Sequence, residues 1–305
     1  MNTTKWFAAL IGVIIIGVIS FAIFHERTPG QDTHKIKVAT GFYPEYFFAS
    51  QIGGDKADVV NITPADAEPH DYEPTAQDMA TIENSRMLVL NGGVEPWGVN
   101  MQKNLDPNKT LIVTAGEGLE TQQVVEGGQS VTDPHVWQSP TLAKKMVDKI
   151  ERGFVQIDPS NTSYYAANAE ALKSQLDQLD SEFKTGLASC AKKDIITSHA
   201  AFGYLATTYH LTQVAITGLS PDAEPSTKEL ADIADFARKN NVKIIFFESL
   251  VSPKLSQTIA SEVGAETMVL DPLEGLSADD LAAGKDYMTV MRNNLANLRK
   301  ALECI

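Results

Sequence analysis

Residues 36–63 read IKVATGFYPEYFFASQIGGDKADVVNIT, and the order of patterns within them sets the fold class. Ile36–Thr40 and Asp58–Thr63 are short runs rich in β-branched residues, and between them Pro44–Ile52 follows a helical period. A strand, a helix and a strand in succession are the pattern of a parallel sheet covered by helices. The alternation continues downstream, with strands expected at Met87–Leu90 and Leu111–Thr114 and helices at Thr75–Asn84, Pro96–Leu105 and Pro140–Val155. These segments complete one α/β lobe.

Residues 161–188 form the longest helical stretch, rich in Ala, Leu, Gln, Glu and Lys and free of proline, and would extend roughly 40 Å. That length exceeds what a lobe-covering helix requires and fits a rigid spacer; a long helix packed along a single domain is the other reading. Beyond it, strands are expected at Ile195–Thr197, Gln213–Thr217, Val242–Phe247 and Thr267–Leu270. Helices are expected at Ala201–Tyr209, Thr227–Asn240, Pro253–Val263 and Ser277–Leu302. The expected architecture is therefore α/β: two Rossmann-like lobes, residues 35–158 and 190–305, each a parallel sheet covered by helices, joined by one long rigid linker helix at 159–189.

The first 34 residues differ in kind. Lys5 precedes Trp6–Phe24, an uncharged, mostly apolar run of about 19 residues, roughly 28 Å as a helix. It reads as an uncleaved membrane anchor; Ser20-Phe21-Ala22 also places small residues for cleavage near Ala22, which would make it a signal peptide. Both readings put the remainder outside the cytoplasm. No cysteine lies near this segment, so a lipid-modified cysteine is excluded. The formal net charge of −14 argues against nucleic acid as a partner, because phosphate binding needs clustered Lys and Arg. Only two cysteines occur, Cys190 and Cys304, with no C-x-x-C pair, which excludes a thiolate zinc site. In an oxidising compartment they can pair; unpaired buried thiols are the alternative.

In open α/β sheets ligands bind beyond the carboxyl ends of strands. His70 lies in the Pro-bracketed loop after the second strand, and His135 in Asp133-Pro134-His135-Val136-Trp137 after the fourth. His199 follows Ile195–Thr197 directly, with Ser198 expected as a helix N-cap. Glu274, in Asp271-Pro272-Leu273-Glu274, follows the last strand. A single loop histidine means little, but three of the six in equivalent places form a pattern. Three neutral imidazoles and one carboxylate make a borderline-soft, four-coordinate set suited to Zn²⁺, whereas manganese prefers more oxygen. Glu68, Asp71 and Asp133 are candidates for orienting the imidazoles.

From about Ile36 to the C-terminus the chain resembles the metal-binding solute-binding proteins of ABC importers, in their zinc branch. The motifs that carry the resemblance are Pro69-His70-Asp71-Tyr72-Glu73-Pro74 with Asp78, Asp133-Pro134-His135-Val136-Trp137 with Pro140, and Thr197-Ser198-His199-Ala200-Ala201-Phe202-Gly203-Tyr204. Gly218-Leu219-Ser220-Pro221 with Glu224-Pro225-Ser226, and Phe247-Glu248-Ser249 through Ser252-Pro253-Lys254, complete the series. The resemblance implies that His70, His135 and His199 are metal ligands and that the loop holding Asp271 and Glu274 supplies the fourth; alignment by position favours Glu274. The manganese branch typically has Glu where His199 stands. Residues 116–132 lack the His-rich loop of many zinc-branch members and carry Glu117, Glu120 and Glu126 instead.

The resemblance further implies capture of zinc between two lobes and its delivery to an ABC-type membrane permease. The chain is expected to act as a monomer, held at the membrane through its N-terminal segment, and to bind rather than catalyse. A zinc-dependent hydrolase is the rival of another class, but no His-Glu-x-x-His motif is present and a fourth protein ligand would take the place of the attacking water. A surface adhesin explains none of the ligand placement.

Overall fold

The computed structural model describes residues 35–305 apart from Gly127. The expected anchor at residues 6–24 and the cleavage position near Ala22 lie outside the described residues. Among the described residues no helix is long and apolar enough to cross a membrane.

The first half builds β1 (Ile36–Thr40), α1 (Tyr43–Gly53), β2 (Ala57–Asn61), α2 (Ala76–Glu83), β3 (Met87–Leu90), α3 (Gly98–Asn104) and β4 (Leu111–Thr114). Its strands are parallel and ordered β2-β1-β3-β4. An antiparallel hairpin follows, β5 (Gln123–Glu126) and β6 (Gln129–Thr132), with Val124 opposite Val131. Then come α4 (Pro140–Ile157) and α5 (Thr162–Gly186). The second half repeats the plan with β7 (Asp194–Thr197), α6 (Gly203–Thr208), β8 (Thr212–Ala215), α7 (Thr227–Lys239), β9 (Ile244–Phe247), α8 (Lys254–Val263) and β10 (Glu266–Val269). It closes with α9 (Ala278–Ala282) and α10 (Tyr287–Ala301). Its sheet order, β10-β9-β7-β8, is the order of the first sheet with each strand replaced by its counterpart.

Side-chain alternation along the strands divides the apolar residues between two faces. Val38, Met87 and Val89 face one cluster, while Ala39, Leu88 and Leu90 face a smaller cluster under α2 and α3. In the second lobe Ile195, Ile244 and Phe246 join the large cluster, and Ile196 and Ile245 pack under α7 and α8. Both faces are covered, which is why Met87–Leu90 is apolar at every position rather than alternating. The large cluster is shared by the two lobes. It passes along α5, whose buried stripe Tyr165, Ala169, Leu172, Leu176, Leu179 and Phe183 repeats every three or four residues. At 25 residues α5 is about 37 Å long, and it packs against α1, α4 and α10. It joins the lobes, as the sequence implied, and forms part of the core of both.

Two local expectations are corrected, and one segment without an expected element is structured. Residues 277–302 are two helices: Gly284 turns at φ 73° and Asp286 caps α10 by accepting from Thr289 N–H at 2.7 Å. The segment 116–132 contains the β5–β6 hairpin. Ser198 caps no helix, because Ala200 N–H is drawn to the Gly218 carbonyl at 2.8 Å and α6 starts only at Gly203.

Cys190 and Cys304 are joined by a disulfide that closes a separation of 114 residues. The bond ties the chain just after α5 to the end of α10. On the chain-entropy view a loop of that size is stabilised by roughly 4–5 kcal/mol relative to the open chain. Reduction should lower the unfolding midpoint and leave metal stoichiometry unchanged, which melting curves with and without reductant will measure. Two alkylated thiols in the intact mass of oxidised, non-reduced protein would contradict the bridge.

Candidate metal centre

Four loops converge where the strands of both sheets end. The loop after β2 carries His70, and the segment between β6 and α4 carries His135. His199 stands two residues beyond β7, and Glu274 lies in the loop after β10. One donor atom from each of the four lies within 4.8 Å of all the others. His135 and His199 are fully buried and Glu274 nearly so, while the His70 side chain keeps 10% of its surface.

Glu274 Oε1 lies 3.1 Å from His135 Nε2, 3.1 Å from His199 Nε2 and 3.4 Å from His70 Nε2. A tetrahedral ion with bonds of about 2.0–2.1 Å has ligand-to-ligand edges of about 3.3–3.4 Å, so these separations fit such an ion. Two further atoms point the same way. His135 Nε2 and Glu274 Oε2 are buried without a hydrogen-bond partner, a condition that buried polar atoms rarely tolerate.

Two imidazoles are held by the same device. Asp133 Oδ1 accepts the His135 backbone N–H at 2.9 Å and lies 2.8 Å from its Nδ1. Glu248 Oε1 accepts the His199 backbone N–H at 3.1 Å and lies 2.7 Å from its Nδ1. In the neutral ring each carboxylate draws the proton to Nδ1, which frees the Nε2 lone pair for a metal ion. Asp133 is itself held from the second lobe: the Tyr204 hydroxyl accepts from Thr121 and Gln122 N–H and donates to the Asp133 carbonyl at 3.0 Å. Gly203 permits this approach, since a Cβ there would stand 2.7 Å from Asp133 Oδ2.

Of the expected orienting carboxylates, only Asp133 meets an imidazole nitrogen. Glu68 accepts the His70 backbone N–H at 3.2 Å instead, and burial followed by the Glu274 charge pushes it up to about 9. Asp71 faces Asp222 of the second lobe, and their hydrogen bond followed by burial raises it. Sequence reasoning did not assign Glu248 a role. It directly follows β9, a strand-end position like those of the histidines, and that was the available signal.

Asp271 stays outside the donor group. It accepts from Ser249 Oγ and, at 2.7 Å, from Leu273 N–H, and its own N–H donates to Asn294 Oδ1 at 2.9 Å. Burial raises it to about 6 against those hydrogen bonds. Its contacts shape a turn in which Leu273 takes the left-handed φ of 60°, and the next residue, Glu274, faces the imidazoles.

Burial alone would lower His135 and His199. For His135 the Asp133 hydrogen bond, then Glu274, overcome burial, and for His199 the charges of Glu248 and Glu274 do so; His135 is raised and His199 stands well above 6.5. Burial would raise Glu274, but the His199 charge and the imidazole hydrogen bonds hold it well below 4.5. Without metal the centre therefore stores protons beside a carboxylate, and a metal ion must displace them.

Two α/β lobes that close four strand-end loops on a three-nitrogen, one-oxygen donor set define a metal-ion solute-binding protein. Residues 38–301 match the family described as zinc-uptake complex component A, periplasmic, and the chain belongs to that family. It is 40% identical over 283 residues to the high-affinity zinc uptake system protein ZnuA of Bacillus subtilis, covering 88% of each chain. The crystal structure of the Zn(II)-bound ZnuA-like domain of Streptococcus pneumoniae AdcA superposes with a TM-score of 0.76 at 38% identity, over 88% of this chain and 99% of that domain. This chain spans 56% of the whole AdcA lipoprotein. The laminin-binding protein of Streptococcus agalactiae, described as a bifunctional adhesin and metal transporter, gives 0.79 at 34% identity, over 88% of this chain and 100% of that one.

The proton linkage has a definite sign. The raised His135 and His199 contribute stability that is complete below about pH 6.5 and is lost as pH rises through their folded values. The depressed Glu274 contributes stability present above about pH 4.5 and lost as pH falls through its folded value. Chelator-stripped protein should therefore lose stability as pH rises from 6 to 9. Urea titrations should show that fall reduced in Glu274→Gln; equal slopes in parent and variant would refute the linkage.

Proposed function

We propose that this protein captures zinc between its lobes, residues 35–158 and 190–305, with His70, His135, His199 and Glu274 as ligands, and hands it to an ABC-type importer outside the cytoplasm. The observation that carries this reading is the convergence of three imidazoles and one carboxylate whose donor atoms lie within 4.8 Å of one another, with Glu274 Oε1 3.1–3.4 Å from all three Nε2 atoms. With the imidazoles neutral, the donors carry one negative charge against the two positive charges of the ion. The nitrogen-rich set favours zinc over manganese. The names of the Bacillus subtilis relative and of the Zn(II)-bound streptococcal domain support the same ion.

Four protein donors fill a tetrahedral zinc and leave no position for an attacking water, which favours capture over hydrolysis. Asp133 and Glu248 raise the basicity of the imidazoles they hold, so the bound ion is firmly kept. Release requires moving at least one of the four loops. Residues 6–24 would tether the protein to the membrane, or be removed near Ala22, and the chain works as a monomer.

Protein purified without added metal should contain about one zinc per chain by elemental analysis, the stoichiometry of a single four-ligand site. His70→Ala, His135→Ala and His199→Ala should each weaken zinc binding at least about tenfold without unfolding the chain. Glu274→Ala should cost more affinity than Asp271→Ala. A His199→Ala protein that held zinc as tightly as the parent would refute the ligand set. Because protons and zinc compete for the imidazoles, apparent affinity should fall steadily from pH 7.5 to 5; a flat profile in chelator competition would be the contrary result.

A further inference from the structure

We infer that Trp137 and Gln138 are positioning residues for Glu274, two side chains of the first lobe that fix the fourth donor of the second lobe through the Pro272 carbonyl. The inference rests on the capture reading above and concerns how that site is assembled.

Trp137 Nε1–H donates to the Pro272 carbonyl at 2.8 Å, and Gln138 Nε2 donates to the same oxygen. A carbonyl offers two lone pairs, and both are engaged by the opposite lobe. That carbonyl belongs to the peptide joining Pro272 to Leu273, so holding it sets the plane about which the Leu273 φ is measured. Leu273 is fully buried at φ 60°, a conformation that a residue with a Cβ keeps only where its surroundings hold it. Contacts of the second lobe fix the turn before this peptide, through Ser249 and Asn294 on Asp271. Beyond it, Glu274 Oε2 has no hydrogen-bond partner, and Oε1 meets only the three imidazoles.

Trp137 is itself clamped. The Trp137 carbonyl accepts from the Tyr287 hydroxyl at 2.6 Å. Its ring stands edge-on to Phe42 at 5.0 Å and lies 5.1 Å from the His135 ring. Trp137 is therefore a rigid strut beside one ligand that reaches across to aim another, and neither it nor Gln138 supplies a donor to the metal.

The test uses the full chain, with zinc dissociation constants from chelator competition at pH 7.5 and the visible absorption of bound Co²⁺ as a probe of the ligand set. Trp137→Phe keeps an aromatic ring against Phe42 and His135 and removes the N–H. It should weaken zinc binding about tenfold, the usual scale for supports of metal ligands, and shift the Co²⁺ spectrum in the direction that Glu274→Gln does. In the Glu274→Gln background the same change should cost less than about twofold, because the residue it aims is already gone. Should Trp137→Phe fail to fold, Gln138→Met removes the other donor with the ring left in place and is read identically. Parental affinity, or an equal loss with and without Glu274, would overturn the inference. A parent protein that bound no zinc would instead overturn the capture reading, and this inference with it.

Discussion

A carboxylate buried between two lobes must be compensated by positive charge, and Glu274 imposes that requirement on the centre. Removing an ionised carboxylate from water costs several kcal/mol even after relaxation, and an unpaired one is not tolerated. Three imidazoles surround it because only cationic or proton-bearing groups can stand so close to Glu274 Oε1. Two of those rings need acceptors on their far sides, which Asp133 and Glu248 supply. The same arrangement that protons would hold together without metal is one that suits a divalent cation, so preorganisation and charge balance arise from one set of contacts.

The fold makes the convergence possible. Each sheet is parallel, so its strands all end at one edge, and the loops carrying His70, His199 and Glu274 leave from those ends. The polar network then crosses between lobes in both directions. Tyr204 of the second lobe fixes the Asp133 loop, and Trp137 of the first reaches the Glu274 loop. The His135 and Glu274 positions thus each depend on a side chain of the opposite lobe.

Much of this was legible in the sequence. Strand and helix placement followed from period, and the four residues that the fold brings together were picked out by asking which polar residues stand just past strand ends. Glu274 and Asp271 were harder to separate, because both are acidic and lie in one loop; the left-handed Leu273 that distinguishes their surroundings leaves no mark in residue type. Glu248 stood at a strand end but is not a histidine, and its partner is 49 residues away. The β5–β6 hairpin was missed because its apolar content is small and Val125 is exposed. The break before α10 was missed because Gly284 and Asp286 were read as lying within one helical stretch, and Asp286 acts as a cap only once the chain has turned.

The core that runs along α5 makes the molecule mechanically stiff. Swinging the lobes far apart would pull Leu172, Leu176 and Phe183 away from neighbours in both halves and wet an apolar seam, at roughly 25 cal/mol for each Å² exposed. Small rearrangements of loops cost far less. With and without metal, residues 36–305 should consequently keep nearly the same arrangement of lobes, and an importer that tells the two forms apart has to read the texture of the rim around the four donor loops.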